Sequence, residues 1–174
     1  MELTKLRVRK AAEKRDLLVA QAIQAIDDLD KTINLFMGRI REWYGLHFPE
    51  LAGLVEKPEA YLEAVKALGR RENFTAGALT ASGQTPQRAG DIVKAVENSL
   101  GADIPETDLL EVQQFAARIL ALAEQRRGLE AYLGRAMKEV APNTAGLVGP
   151  VLGARLIAYA GNLDRLARMP SSTI

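Results

Sequence analysis

The single histidine of the chain, His47, lies four positions from the only tryptophan, Trp43, in an aromatic-rich stretch. With Glu42 and Glu50 nearby, it could act as a general base that a carboxylate orients. Neither a nucleophilic serine motif nor a pair of acids accompanies it. The alternative is a corner, where rings pack the end of a helix onto the next segment. We favour the corner and predict that His47 hydrogen-bonds to backbone at a turn.

Other groups that catalyse reactions or bind metals are scarce. The chain has no cysteine, which excludes disulfides, thiolate metal sites and cysteine nucleophiles, and one histidine excludes a histidine metal cluster. Asp27, Asp28 and Asp30 are close in sequence, but neighbouring residues on a helix diverge by about 100° and cannot easily share an ion. The sequence therefore predicts a protein that is not an enzyme, with no metal and no cofactor.

Basic residues offer a different chemistry, which is contact with phosphate. The net charge is only +1, so attraction to nucleic acid would have to come from local clusters. Arg155, Arg165 and Arg168, opposed by Asp164, make the last segment basic and are the candidates for contact with the phosphates of a nucleic acid. A second basic cluster lies at 5–15, where a solubilising helix end is the favoured interpretation.

Two long stretches carry the apolar seam of a coiled coil, in which apolar residues alternate at spacings of three and four. The first runs from Val19 to Trp43, and the second runs from Val112 to Val140 with Arg126 as its only interruption. A seam of about 25 residues spans roughly 37 Å, which is long for two helices with nothing else to pack on. We therefore predict that the chain pairs with a second copy. The candidate dimerisation residues are Val19, Ile26, Ile33, Phe115, Leu122 and Leu129.

These elements predict an all-α fold. It is a long antiparallel coiled-coil hairpin with a small helical insertion at its tip, followed by the first helices of a truncated C-terminal domain. One stretch of the insertion, 76–85, contains glycine, serine and threonine and is predicted to be a mobile loop. The predicted boundaries are a coiled-coil domain at 1–141 (first helix 5–44, tip insertion 52–104, return helix 105–141) and a second module at 142–174.

The most apolar window, 144–161, has about the length of a membrane span. It contains Arg155 near its middle and four glycines, so we interpret it as a buried helix of a folded domain. No signal peptide is visible at the start. We therefore expect a cytoplasmic protein that does not enter a membrane.

Two blocks of sequence resemble the Nop family. The stretch REWYGLHFPEL at 41–51 is similar to the family signature at the end of the first coiled-coil helix. The second block opens with APN at 141–143 and LVG at 147–149, and continues with GARLIAYAG at 153–161. Together with the segment that ends in MPSSTI, it resembles the opening of the Nop RNA-binding domain. Both blocks occur in the family's order and spacing, and the resemblance covers essentially the whole chain.

The resemblance implies a function that the chemistry alone does not. Archaeal members are the central scaffold of box C/D small ribonucleoproteins, which direct 2′-O-methylation of RNA. In such proteins an N-terminal domain holds the fibrillarin methyltransferase and the coiled coil self-associates. The C-terminal domain grips a kink-turn RNA already bound by a small partner protein. Arg168, just before the Met-Pro pair, resembles an RNA-backbone contact of relatives, and Arg165 is its neighbour.

The chain also departs from the family pattern. No fibrillarin-binding domain precedes Met1, and the chain stops before the Gly-Ala-Glu-Lys segment of relatives. We therefore expect a fragment centred on the coiled coil, from an archaeal form of the scaffold. The alternative is an RNA-binding module of a related spliceosomal or nucleolar ribonucleoprotein, acting through the basic segments at 5–15 and 155–168.

Overall fold

The computed structural model describes residues 2–170 and 172, with side chains from residue 15 onward, and its regular structure in this part is entirely helical. The all-α prediction is confirmed. None of the described helices is both long enough and apolar enough to cross a membrane. The elements are α1 (Glu2–Gly45), α2 (Leu51–Leu54), α3 (Pro58–Leu68), a 3₁₀ turn (Arg71–Asn73), α4 (Ala76–Ala81), α5 (Pro86–Glu97), α6 (Glu106–Val140), α7 (Pro142–Val148), α8 (Pro150–Ala160) and α9 (Leu163–Arg168).

The chain divides into two compact units, each with its own core. One unit is contiguous and comprises 32–123, and the other combines 1–31 with 124–174. We call them the inner unit and the terminal unit. Both long helices, α1 and α6, contribute residues to both units.

The inner unit is built around aromatic rings, because the sequence concentrates its few aromatics there. Tyr44, Phe48, Tyr61 and Phe74 are all fully buried, and Phe48 meets Phe74 edge to face with ring centroids 5.3 Å apart. Edge-to-face pairs of this kind add stabilisation beyond the buried area. The rings join the end of α1 to the short helices that follow it.

The short helices α4 and α5 are each started by a threonine cap. The Thr75 hydroxyl accepts the Ala78 N–H at 3.3 Å, and the Thr85 hydroxyl accepts the Arg88 N–H at 3.4 Å. A side-chain oxygen at this position satisfies an amide that has no partner within the helix. The predicted loop at 76–85 is therefore wrong over its first half: α4 forms there, held by the cap and by the buried side chain of Leu79.

In the terminal unit, α1 and α6 run antiparallel. Arg15 pairs with Glu139, and Asp30 pairs with Arg126 at 2.8 Å, so the pairing positions run in opposite directions along the two helices. Arg126 is the residue that interrupts the second seam, and its guanidinium also binds Glu130. An ion pair at a seam position is suited to fixing the register of two helices.

Small residues let α8 approach its neighbours closely in the terminal unit. A Cβ atom added at Gly153 would lie 2.9 Å from the Met137 Cε atom and 3.2 Å from the Thr144 Cγ2 atom. Buried Ala154 and Ala160 lie on the same helix. The glycine-rich stretch therefore serves helix packing.

Candidate nucleic-acid interface

Helix α9 carries the two exposed arginines that the sequence singled out. Asn162 starts this helix, and its side chain accepts the Arg165 N–H at 2.7 Å. Arg168 pairs with Asp164 one turn earlier, at 2.8 Å, and both side chains are largely exposed. Arg165 has no ion-pair partner among the described residues. The helix thus presents one free and one partly neutralised guanidinium to solvent.

Arg155 lies in a different setting, because α1 holds its guanidinium. It donates to the Asp27 carboxylate at 2.5 Å. This hydrogen bond, together with the charge of Asp27, raises the pKa of Arg155 above its usual range. The predicted RNA contact of Arg155 would have to compete with Asp27, whereas the intramolecular pair ties α8 to α1.

A residue missed by the sequence analysis, Asp16, anchors the start of α9. Its side chain is only 2% exposed, and its Oδ2 atom accepts the Leu163 N–H at 2.8 Å. Asp16 lies three positions before Val19, the first residue of the seam. A charged residue in the seam register was the available signal, because such a position is normally apolar.

The candidate dimerisation residues fall into two groups. Val19 and Ile26 are fully buried within the chain's own terminal core, so they offer no surface to a second copy. The other members are only partly buried, and all of them except Leu122 pack against one of the two cores. These are Ile33, Phe115, Leu122 and Leu129.

His47 lies at a corner, as predicted, and binds backbone on two sides. Its Nε2 atom accepts the Arg71 N–H at 3.2 Å, so its Nδ1–H donates to the Ala102 carbonyl oxygen, 2.9 Å away. This arrangement fixes the neutral Nδ1–H tautomer. The side chain is fully buried, and both ring nitrogens are occupied. The ring therefore links the end of α1 to two later segments of the inner unit.

The two nearby glutamates do not form a catalytic pair with His47. Glu42 binds Arg39, while Glu50 accepts the Leu100 N–H at 2.9 Å and the Ser99 hydroxyl at 2.7 Å. Burial alone would raise the pKa of Glu50, but these hydrogen bonds outweigh it and lower the pKa below its ordinary value. The carboxylate holds the loop before α6.

The seam of α1 ends differently from the sequence prediction. Trp43 was predicted as its last residue, but its side chain is 39% exposed while Tyr44 is fully buried. The helix ends here, and the buried residue that follows Ile40 in the seam is Tyr44 and not Trp43. Tyr44 is buried because its hydroxyl donates to the Gly69 carbonyl at 2.5 Å. Trp43 keeps a flanking contact with Phe115, at 6.3 Å between ring centroids.

Two sets of residues considered in the sequence are only partly described by the structure. The basic cluster at 5–15 lies outside the described side chains except for Arg15, which pairs with Glu139. In the final MPSSTI motif, residues 171, 173 and 174 lie outside the described part. Among the described side chains, no group of three or more acidic or histidine residues is arranged to hold a metal ion.

Comparison with known proteins gives matches along the whole chain. Residues 25–174 match the family model described as Nop, snoRNA binding domain, fibrillarin. An uncharacterised NOP5 family protein of Methanocaldococcus jannaschii is 46% identical over 99% of this chain, which spans 42% of that protein. Nucleolar protein 58 of Aspergillus fumigatus is 40% identical over 99% of the chain, which spans 29% of it. The chain thus covers less than half the length of these relatives.

The same comparisons correct the expected location and establish the family. The cytoplasmic prediction is wrong, since relatives are named nucleolar proteins, which points to the nucleolus rather than the cytoplasm in eukaryotes. It rested on the lack of a signal peptide, and that criterion does not distinguish the nucleolus from the cytoplasm. The family model covers most of the chain and includes both the aromatic corner and the basic helix α9. The chain therefore belongs to the Nop family.

Proposed function

We propose that this chain is the central part of a scaffold subunit of a box C/D small ribonucleoprotein, which guides 2′-O-methylation of RNA. The observation that carries the proposal is the family match over residues 25–174, combined with the exposed arginines of α9. Phosphate contacts of this kind position a protein on RNA without reading its sequence. Sequence selection would then belong to the guide RNA.

The chain's share of this function is structural, and the chemistry belongs to a partner. His47 has both ring nitrogens engaged with backbone, which supports a scaffold without catalysis of its own. A fibrillarin-type methyltransferase would supply the reaction and bind through an N-terminal domain, as the family resemblance implies. The RNA partner would be a kink-turn carrying its small RNA-binding protein.

The RNA contact can be tested by a gel-shift titration of that kink-turn complex with the chain. Changing Arg165 and Arg168 together to Glu should abolish the shift at moderate salt. A milder change of both to Gln should lower the slope of log affinity against log salt by about 1–2, since each lost phosphate contact removes roughly 0.7–0.9.

A matched control variant makes the same change of charge at two arginines of the inner unit. Arg88 and Arg118 are exposed there, and changing both to Glu should leave most of the affinity. If both double variants lost the same affinity, the effect would be one of overall charge, and this would contradict an interface on α9. No binding by the unmodified chain would contradict the RNA proposal itself.

Self-association through the long helices is the second part of the proposal. Leu35 on α1 is 67% exposed, and Leu17 and Leu18 on the same helix are also exposed. Leu35 lies in the inner unit and the other two leucines lie in the terminal unit, and an exposed leucine on a long helix is available to a second helix that covers it.

Light scattering coupled to gel filtration at low micromolar concentration tests this part. The chain should elute as a dimer, and Leu35→Glu should shift it towards monomer. Leu100→Glu is the control, because Leu100 is 93% exposed on a loop and belongs to neither long helix. A clean monomer for the unmodified chain would refute the dimer.

The alternative is a role as an RNA-binding module that acts without self-association. Relatives named nucleolar protein 58 favour the nucleolar over the spliceosomal version of this alternative. A monomeric chain that still binds the kink-turn complex through α9 would select it.

A further inference from the structure

Asp16 is one of two polar or charged residues that are buried among the described side chains, His47 being the other. Burial of a carboxylate is unfavourable unless hydrogen bonds replace the lost water. Only one oxygen of Asp16 is satisfied, by the Leu163 N–H, while the Oδ1 atom has no hydrogen-bond partner among the described residues. The Leu163 N–H is therefore the one hydrogen-bond donor that the described residues offer to this buried carboxylate.

Leu163 is the first residue of α9, and its amide belongs to the turn whose N–H groups have no partner within the helix. Asn162, the helix's own cap, accepts the amide of Arg165 instead. Asp16 takes the amide that Asn162 leaves free. A carboxylate is also the better acceptor, since it bears the charge that a helix start attracts.

The start of α9 is thus fixed by α1, a helix 147 residues earlier in the chain. Gly161, at φ +94°, lets the chain turn sharply between α8 and α9. Leu166 then packs into the terminal core. With one end bound by Asp16 and one face held by Leu166, the helix has a fixed direction, and Arg165 and Arg168 lie on its exposed side.

We propose that Asp16 is a positioning residue for RNA binding, which orients α9 so that Arg165 and Arg168 reach successive phosphates. This inference rests on the proposed function of α9. Asp16 does not touch the RNA. It acts through a hydrogen bond to the backbone of the helix that does.

The sign of the effect separates positioning from simple electrostatics. Removal of a negative charge close to two RNA-binding arginines should by itself tighten RNA binding. Loss of the anchor should weaken it. Asp16→Asn and Asp16→Ala remove the same charge, but only Asn keeps an oxygen that can accept the Leu163 N–H, so the pair separates charge from hydrogen bonding.

The experiment measures affinity for the kink-turn RNA with its small partner protein. Asp16→Ala should weaken binding by about tenfold, in keeping with the loss of a hydrogen bond to a charged group. Asp16→Asn should stay within about twofold of the unmodified chain. When Arg165 and Arg168 are already Gln, Asp16→Ala should change nothing. Tighter binding by Asp16→Ala, or the same loss in both backgrounds, would overturn the proposal.

A second variant removes the donor in place of the acceptor. Leu163→Pro deletes the N–H that Asp16 binds, and proline is tolerated at the first position of a helix. Asn162 is already extended, at φ −161° and ψ 167°, as a residue before proline prefers. This variant should lose the same tenfold, while Leu163→Ala, which keeps the N–H, should not. Equal affinities for these two variants would contradict the inference.

Hydrogen exchange gives a readout that needs no RNA. Asp16→Ala should speed amide exchange at 163–168 and leave the inner unit, 32–123, unchanged. Should the unmodified chain fail to bind RNA, the proposed function falls while the anchor is still tested by this measurement. Unchanged exchange at 163–168 in a folded Asp16→Ala protein would refute the anchor itself.

Discussion

Replacing His47 with Leu should destabilise the inner unit without removing much apolar contact. Leucine has a similar bulk, but it can neither accept the Arg71 N–H nor donate to the Ala102 carbonyl. Both backbone groups would be left without a partner beside a fully buried side chain. The variant therefore isolates the two hydrogen bonds that close the corner.

The size of the effect follows from the cost of unpaired polar groups. Each buried group that loses its partner costs about 1–3 kcal/mol. The two bonds of His47 are only partly buried, so the lower half of that range applies to each. We expect the free energy of unfolding to fall by about 2–4 kcal/mol.

Two polar variants divide this loss. In His47→Gln the side-chain oxygen can replace Nε2 as the acceptor for the Arg71 N–H, and in His47→Asn the amide can replace the Nδ1–H donor towards Ala102. Each keeps one of two bonds and should lose about 1–2 kcal/mol.

Urea denaturation followed by tryptophan fluorescence measures these changes in the right part of the molecule. Trp43 is the only tryptophan, and it lies in the same unit as His47. A His47→Leu protein within about 0.5 kcal/mol of the unmodified chain would refute the reasoning. So would a His47→Gln or His47→Asn protein that loses as much as His47→Leu.

Two further predictions concern the loop that His47 holds. Gly101→Ala should destabilise the inner unit by about 3 kcal/mol, because the added Cβ would overlap the His47 carbonyl group. Gly128→Ala, in open space within α6, should be neutral or stabilising by up to about 1 kcal/mol, and thermal unfolding compares the two. For Glu50, the folded pKa is below the ordinary value of 4.5, so its stabilisation is fully present above that value and is lost as pH falls through the folded pKa. Glu50→Gln should therefore lower stability at neutral pH and flatten the acid side of the stability profile, and an unchanged profile would contradict this.

The parts of the fold that depend on periodicity could be predicted from sequence. Val19, Ile26 and Ile33 are spaced by seven residues, with Ala22 and Leu29 between them, and this spacing is enough to indicate a long helix because it gives one apolar face. Thr85 before Pro86 likewise marks the start of α5, since both the cap and the proline act locally. Such signals need no knowledge of what the helix packs against.

Features that depend on distant contacts could not be predicted in this way. Glycine, serine and threonine at 76–85 suggested a loop, yet α4 forms because Leu79 finds a place in the core. Trp43 fitted the seam, but the partner of Tyr44 is Gly69, 25 residues later. Tertiary packing overrides local propensity at such positions.

The residues of the candidate site also differ in whether local sequence or a distant contact determines their role. Arg165 and Arg168 became candidates because clustered positive charge is visible in sequence, and their RNA contact stays a prediction. Asp16 could have been noticed as a charged residue in the seam register, but its partner is a backbone amide 147 residues away, and the sequence does not indicate that partner. No pattern in the sequence indicated that Asp27 would hold the guanidinium of Arg155.

The division into an inner unit and a terminal unit made of both chain ends sets an order of events during synthesis. The Arg71 and Ala102 backbone groups that bind His47 are both present once residue 102 has been added. The partner of Asp16 is present only after Leu163 has been added. At about 5–20 residues per second, the ribosome needs roughly 3–12 s for that interval. Until α6 has been synthesised, the apolar face of α1 around Val19 and Ile26 lacks the residues of α6 that cover it, and a nascent-chain chaperone could shield it. The basic helix α9 is the last of the described helices to dock, so a chain that ends before it has not yet positioned the proposed RNA contact.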